Sequence, residues 1–436
     1  MTRTGTSASG FAYDVAVVGG GPAGSSTAAR LARHGRRVLV LERDRFPRFH
    51  IGESQLPWIN EVLRELGADS AVAAAGFVQK WGASFTTADG SVEKYADFAV
   101  APETPRPQTY QVPRAEFDAL LLEHAARCGA EVVHGAQALD AQFDASGVTL
   151  RYAQDGATRE VRVAAVVDAS GRVGFLARRL ANRQYDERLR NVAVHAWYEG
   201  VPRLTGRRAG DIRMVLRPDR GWFWFIPVSE KTMSVGVVVP AAVHAARSAD
   251  GAPLEEQLER YVRETPAAAA LLEPAVRVSE MRFDADYSYH SERYAGDRWL
   301  VVGDAGCFLD PIFSTGVLLA MQAGIEAADA LDEGLRIGDL SRARFARYER
   351  NVDARWRYFR RFAIGFYDPA FRDIFFRSDT PLGIREAVIS VLAGNWRPSL
   401  ATRLRLAMFF AVVELQRWFP LAPRLGDLQP SALPAR

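Results

Sequence analysis

The chain has 436 residues, 48% of them hydrophobic and 25% charged, which is ordinary globular usage with room for about three domain-sized units or one large core. A formal charge of +3 is too balanced to advertise a nucleic-acid partner, and two cysteines, Cys128 and Cys307, exclude a disulfide framework or a four-thiolate metal site. Seven scattered histidines show no HxxxH or HExxH spacing, so no metal is expected, and only Lys80, Lys94 and Lys231 among the 55 basic residues are lysines.

The first stretch, "MTRTGTSASGFAYD", lacks the apolar core of a signal peptide, and the longest late apolar run, "LAMFFAVVELQRWF", is interrupted by Glu414. A cytoplasmic enzyme with no membrane partner is therefore expected. Asp14–Val18 reads as a buried strand that leads into "GGGPAGSSTAARLARHG". There Gly19, Gly21 and Gly24 form GxGxxG, with Pro22 and Ala23 between them at the start of an alanine-rich helix. The next strand, "RRVLVLER", ends in Glu42, 18 residues beyond Gly24. Glycines permit the tight turn and let backbone N–H groups approach a pyrophosphate at the positive end of a helix, and a carboxylate at the second strand's end can accept from ribose hydroxyls. A lone GxGxxG says little; strand, glycines, helix, strand and acid in register say much more. Arg43 is either a nucleotide contact or a solvated strand-end charge.

Three alternating runs follow a helix in "QVPRAEFDALLLEHA". They are "AEVVHGA", "GVTLRYA" and "REVRVAAVVDAS", and they predict a small meander that returns to a parallel sheet. "RMVLR", "WFWFIPV" and "TMSVGVVV" alternate as an antiparallel sheet does. "RWLVVGDAGCFLDPIFSTG" begins with another strand and turns into a helix. Beyond residue 340 the chain reads as helical and aromatic, and its aromatic stripe reads mostly as core packing. The expected fold is α/β. A discontinuous Rossmann-type domain takes residues 12–76, 114–176 and 295–335, a β-sheet region on the substrate side takes 77–113 and 187–290, and a helical C-terminal region takes 340–436. "APETPRPQ" is expected to form a surface loop or strap.

Gly303-Asp304 resembles the GD motif of flavoproteins, whose aspartate binds the ribityl chain; "VVDASGRVG" resembles the strand and turn that these enzymes place near the cofactor. Arg114 matches an arginine used close to FAD. Three further patterns narrow the resemblance: Trp222-x-Trp224-x-Ile226-Pro227; Phe308-x-x-Pro311-x-x-Ser314-x-Gly316; and Gly52-Glu53-Ser54, with Lys80 opening "KWGASF" 26 residues past Ser54. Together they resemble the flavin-dependent halogenases over about residues 12–330.

That resemblance implies FAD supplied already reduced, bound through the glycine loop, Glu42, Asp304, Pro311, Gly316 and Val317. It reacts with dioxygen to a flavin hydroperoxide, which chloride or bromide held at the backbone of Thr315 and Gly316 attacks. Hypohalous acid then travels through the protein to Lys80, beside which an electron-rich ring is halogenated in natural-product biosynthesis. A desolvated lysine has a lowered pKa and can serve as a nucleophile. The plainer alternative for Lys80 is an exposed residue at a strand start, and Lys94 and Lys231 are read as surface charges. Trp222 and Trp224 either wall the flavin from the substrate or pack as two core indoles. Glu53 is a helix cap or a residue at the flavin's edge.

One departure separates branches of the family. Tryptophan-halogenating members carry a glutamate immediately before the Ser-Thr-Gly run, and here that position is Phe313. The resemblance then implies a phenol or pyrrole, free or tethered to a carrier protein. No second GxGxxG occurs, so reduced flavin is expected from a separate reductase. Two other readings stand beside this one: an FAD-dependent monooxygenase or reductase of the same fold, and a flavin-binding redox protein without turnover.

Overall fold

The computed structural model describes residues 11–285, 288–377 and 381–425. Residues 1–10 and 426–436, on which the leader reading and the end of the helical region fall, lie outside the described residues. Tyr13–Val18 forms the middle of a parallel ladder, between Val38–Glu42 and Ala157–Asp168. Glu131–His134 and Trp299–Val301 extend it on either side. Val15–Val18 and all of Val38–Glu42 are buried, as a parallel sheet covered on both faces requires. Helices Pro22–Arg33 and Gly316–Ile337 pack closely on each other, since a Cβ on Gly324 would stand 2.6 Å from the Ala23 carbonyl oxygen.

The meander differs from the expected one. Glu131–His134 runs parallel to Val38–Glu42, and the outer strand of the meander is instead Ala136–Phe143. The first half of Ala157–Asp168 pairs antiparallel with Val148–Gln154, and its second half turns parallel beside Tyr13–Val18. One strand thereby serves two ladders, which a run of alternating residues does not reveal.

The second sheet is ordered Val276–Arg277, Asn191–Glu199, Thr232–Pro240, Trp222–Pro227, Ile212–Leu216, Gly82–Thr86, Glu93–Asp97, with Arg282–Ala285 also on Asn191–Glu199. Most neighbours are antiparallel, but Ile212–Leu216 and Gly82–Thr86 run parallel. The long chain between them passes through the first sheet, so no hairpin dictates their sense. Alternation assigns the faces. Phe223 and Phe225 pack on helices Leu254–Arg263 and Pro266–Leu272, whereas Trp222, Trp224 and Ile226 face the Leu309–Phe313 turn and the C-terminal helices. Those helices are Ala346–Phe366, Pro369–Phe376, Ile384–Leu392 and Leu400–Gln416. Their aromatic stripe is core, as expected: Phe359, Phe366 and Phe371 are buried, and Phe375 meets Phe85 edge-on at 4.9 Å.

Lys94 is a correction. Its side chain is buried, and Nζ donates to the Arg377 carbonyl at 2.6 Å, so it is no surface charge; Lys231 is exposed. A strand-end lysine next to a polar segment reads as solvated until a helix almost 300 residues away covers it.

The tightest packing lies at the glycine loop. Gly19 has φ +105°, and a Cβ on Gly24 would sit 1.9 Å from the Gly19 carbonyl oxygen. Gly24→Ala is expected to destabilise the chain by about 1–3 kcal/mol, seen as a lowered urea midpoint. An unchanged midpoint would contradict this close approach.

Candidate active site

The helix behind the glycine loop starts at Pro22 with Gly21 as its N-cap, no side chain caps it, and its first turn has no acidic residue. Its leading N–H groups and the positive end of its dipole therefore remain available to an anion. The space above Gly21 is open, with only Arg48 Nη2 3.3 Å from where a Cβ would be. Ala23 is buried beneath the loop. Glu42 accepts from Gly20 N at 2.6 Å and Asp44 N at 2.8 Å, so its carboxylate also locks the loop. Arg43 points into water beside Asp44 at 3.5 Å, which is the solvated alternative.

A second polar cluster lies further along. Arg114 is buried and forks onto Asp118, with Nε–Oδ1 2.7 Å and Nη2–Oδ2 2.9 Å, and it donates to the Ile51 carbonyl at 2.8 Å. Arg48 adds a 3.0 Å bond to the same carboxylate. Asp304 is half-buried, and its withdrawal from water pushes the carboxyl up to about 6, while Arg114, Arg172 and Arg183 pull it down. In the "VVDASGRVG" turn, Asp168 accepts from the Leu176 and Ala177 amides at 2.7 and 3.0 Å, which fixes the loop that faces Gly19.

The Phe308–Val317 segment ends at the start of the long Gly316–Ile337 helix. Pro311 opens a short turn, and Ser314 takes a left-handed φ of +54°. Thr315 is the uncapped N-cap residue, and its Oγ1 is buried without a hydrogen-bond partner. Phe308 packs against Gly316, 3.1 Å from where a Cβ would be, and Val317 is buried. The two indoles are buried as neighbours, 6.0 Å between centroids. Trp224 Nε1 donates to Ser234 Oγ at 3.1 Å; Trp222 Nε1 donates to Tyr367 Oη at 3.0 Å. Tyr367 in turn reaches Asp310 at 2.9 Å, which Asn191 also contacts at 2.9 Å. Burial pushes the Asp310 carboxyl up to about 6. Ile226, on the same face as the indoles, and Pro227 are buried too.

Lys80 is 1% exposed, which rules out the exposed alternative. It ends the short strand Val78–Lys80, paired with Thr109–Gln111, and does not begin the Gly82–Thr86 strand. Nζ donates to Ser54 Oγ at 2.8 Å and to the Gln55 carbonyl at 2.9 Å, and lies 5.3 Å from the centre of the Phe98 ring. Loss of water lowers the pKa to about 7, and Asp211 opposes the shift. Asp211 is itself engaged by the Trp81 and Gly82 amides and by Tyr95 Oη. Gln55 Oε1, Thr109 Oγ1 and Gln111 Oε1 are buried without hydrogen-bond partners close by, a polar lining that is rarely left in a core without use.

Glu53 joins the lysine to the helix start. It is fully buried and caps no helix; it accepts from the Gly52 amide at 3.1 Å and from Trp197 Nε1 at 3.3 Å. A Cβ on Gly52 would lie 4.0 Å from Val317 Cγ2, and Ser54 touches Lys80. Gly52 and Ser54 are two residues apart, about 7 Å of extended chain, so one short segment touches both the start of the Gly316–Ile337 helix and Lys80.

Sequence reading missed Arg48, Asp118, Asp211, Asp310 and Tyr367. Arg48 lies close after the second strand and could have been marked as a cation near the glycine loop. Asp118 stands four residues after Arg114 on one helix, a spacing that could have marked the pair; the other three act through partners far along the chain and leave no local pattern.

The donors at both helix N-termini, the open space over Gly21, and the half-buried Asp304 within the field of Arg114 suit a long anionic dinucleotide with a polar chain between its ends. The FAD binding domain model matches residues 12–362. The flavin-dependent halogenase armH3 of Armillaria mellea is 38% identical over 74% of this chain and 68% of its own length. The chain belongs to the flavin-dependent halogenases. A Pseudomonas fluorescens relative, a 1H-pyrrole-2-carbonyl-peptidyl-carrier-protein chlorinase, is 33% identical over 77% of this chain and 79% of its own. Among solved structures, the myxobacterial chondrochloren halogenase CndH aligns with TM-score 0.77 and 32% identity over 91% of this chain and 97% of that one. A flavoprotein/dehydrogenase from Cytophaga hutchinsonii aligns with TM-score 0.85 and 27% identity over 93% and 99%. The family membership carries the α/β, Rossmann-type fold and an oxidoreductase with it.

Burial of Lys80 has a stability signature. Its pKa falls from 10.5 unfolded to about 7 folded, so between those values the unfolded chain binds the extra proton. The unfolding free energy of the natural chain, measured against Lys80→Met, is expected to rise from about pH 7 to 10.5 and to be lowest below it. A difference independent of pH would contradict the shift.

Proposed function

We propose that this enzyme halogenates an electron-rich phenol or pyrrole ring, free or carrier-tethered, in the cytoplasm, with FAD delivered reduced by a separate reductase. Reduced FAD, with dioxygen and chloride or bromide, supplies the halogen as hypohalous acid. The N–H groups at Thr315 and Gly316 hold the halide at the positive end of the Gly316–Ile337 helix, where no side chain competes. Gly19, Gly21, Pro22, Ala23 and Gly24 receive the pyrophosphate, and Arg114, Asp304, Pro311, Gly316 and Val317 border the flavin, with Glu53 at its edge. The three segments 12–76, 114–176 and 295–335 then act as one cofactor-binding unit, and the second sheet supplies the substrate side.

The observation that carries this reading is the buried amine of Lys80, held by Ser54 two residues from the Gly52 that lies against Val317, with unpartnered oxygens around it. A neutral amine attacks the halogen of hypohalous acid and releases water; the N–halogen bond then breaks as the ring takes the halogen and returns a proton. Hydrogen bonding from Nζ to the acid is the other course open to it. Trp222 and Trp224 keep the ring away from the flavin, and enclosure keeps the oxidant from water. Phe313 provides no base, which favours rings that need none.

Reduced FAD, dioxygen, bromide and a phenol probe are expected to give brominated phenol. Lys80→Ala is expected to lower product by about a hundredfold or more while FAD binding and hydrogen peroxide release persist. A hydroxylated product, or turnover indifferent to halide, would overturn the proposal and favour the monooxygenase or reductase reading. Tight FAD binding with no turnover would favour a redox-binding role.

A further inference from the structure

The helix Leu400–Gln416 has two apolar faces. Leu406, Phe409 and Val413 turn inward, flanked by Thr402 and Gln416. On the opposite face Leu400, Leu404, Ala407, Met408, Ala411 and Leu415 recur at three- and four-residue intervals, and all are exposed. The face continues past the helix through Trp418, 76% exposed, Phe419, 63%, and Leu421. A continuous apolar surface of this length is unusual on a protein that meets only water. The helix is not a loose end. Ser399 caps it, and Glu103 in the proline-rich strap accepts from the Ser399 amide and Thr402 Oγ1 at 2.9 and 2.8 Å.

The charges around this face are one-sided. Within residues 397–424, Arg397, Arg403, Arg405, Arg417 and Arg424 stand against Glu414 alone. Arg417 is engaged by Glu414 and by Asp368, both at 2.5 Å, which leaves Arg397, Arg403, Arg405 and Arg424 to carry the positive charge. Arg361 adds its guanidinium over the Phe410 ring, 3.6 Å from the centroid, on the same flank. On the face itself only the Trp418 indole offers a hydrogen bond.

We infer that this face docks the enzyme onto an anionic phospholipid surface. The leucines and Met408 would enter the acyl boundary, Trp418 and Phe419 would sit at headgroup depth, and the flanking arginines would meet phosphates. A surface without internal hydrogen-bonding demands suits this occupant better than a protein partner does. Among the described residues no helix is long and apolar enough to cross a membrane. Peripheral attachment needs no such span, because the inner face stays in the core. The inference does not depend on the halogenation chemistry.

The FAD-loaded full chain is to be floated with vesicles of phosphatidylcholine alone and of phosphatidylcholine with phosphatidylglycerol. Flotation is expected with the anionic vesicles at low salt, and about tenfold less with neutral ones or at high salt. Leu404→Glu combined with Trp418→Glu is expected to weaken it at least about tenfold, with the flavin spectrum and thermal midpoint unchanged. Absence of flotation, equal flotation on neutral vesicles, or full binding by the double variant would each overturn the inference. A non-floating dimer that the double variant splits would overturn it in favour of a second copy of the chain.

Discussion

A lysine side chain taken out of water governs the arrangement of this enzyme. An ammonium group in an apolar setting is unstable without a counter-charge, and among the described residues no carboxylate touches Lys80: its partners are the Ser54 hydroxyl and the Gln55 carbonyl. Asp211 is close enough to oppose the shift, yet its oxygens are occupied by two backbone amides and a tyrosine. The amine therefore tends to neutrality near physiological pH, which a nucleophile needs. Holding it there requires Ser54 and Gln55 to stay fixed. Ser54 bridges to Gln111 and Gln55 N bonds to Tyr110, while Thr109–Gln111 pairs with the lysine's own strand. The strap before that strand is tied by Glu103 to the start of the last helix.

The second organising contact is the path from Asp310 through Tyr367 to Trp222. It joins the turn before the Gly316–Ile337 helix, the C-terminal helices, and the strand bearing the paired indoles. The aromatic C-terminal helices thus fix the strand that bears the indoles. Asp310 is buried with a raised pKa, so the hydrogen bonds from Tyr367, Asn191 and Ile312 are what keep it tolerable there.

Local patterns carried the glycine loop, its flanking strands, the Gly303-Asp304 turn and the two signature segments, because each depends on residues a few positions apart. Lys80 also stood out, since only three lysines occur and one stands within a motif; its burial is what the structure adds. What escaped depends on distant chain segments. Lys94 reads as solvated until Arg377 covers it, the parallel pairing of Ile212–Leu216 with Gly82–Thr86 has no hairpin to announce it, and Asp211 meets Trp81 across 130 positions. Glu53 was open between two roles, and only its burial against Trp197 excludes the cap.

The scarcity of lysine makes the central claim directly measurable. With lysine 13C-labelled at Cε, NMR titration of the folded chain should resolve signals from Lys80, Lys94 and Lys231, with Lys80→Met assigning the first. A Lys80 signal that titrates at about 7 is the result this structure predicts. Titration near the ordinary 10.5 would mean a solvated or ion-paired ammonium, and would contradict a neutral amine as the group that receives the halogen.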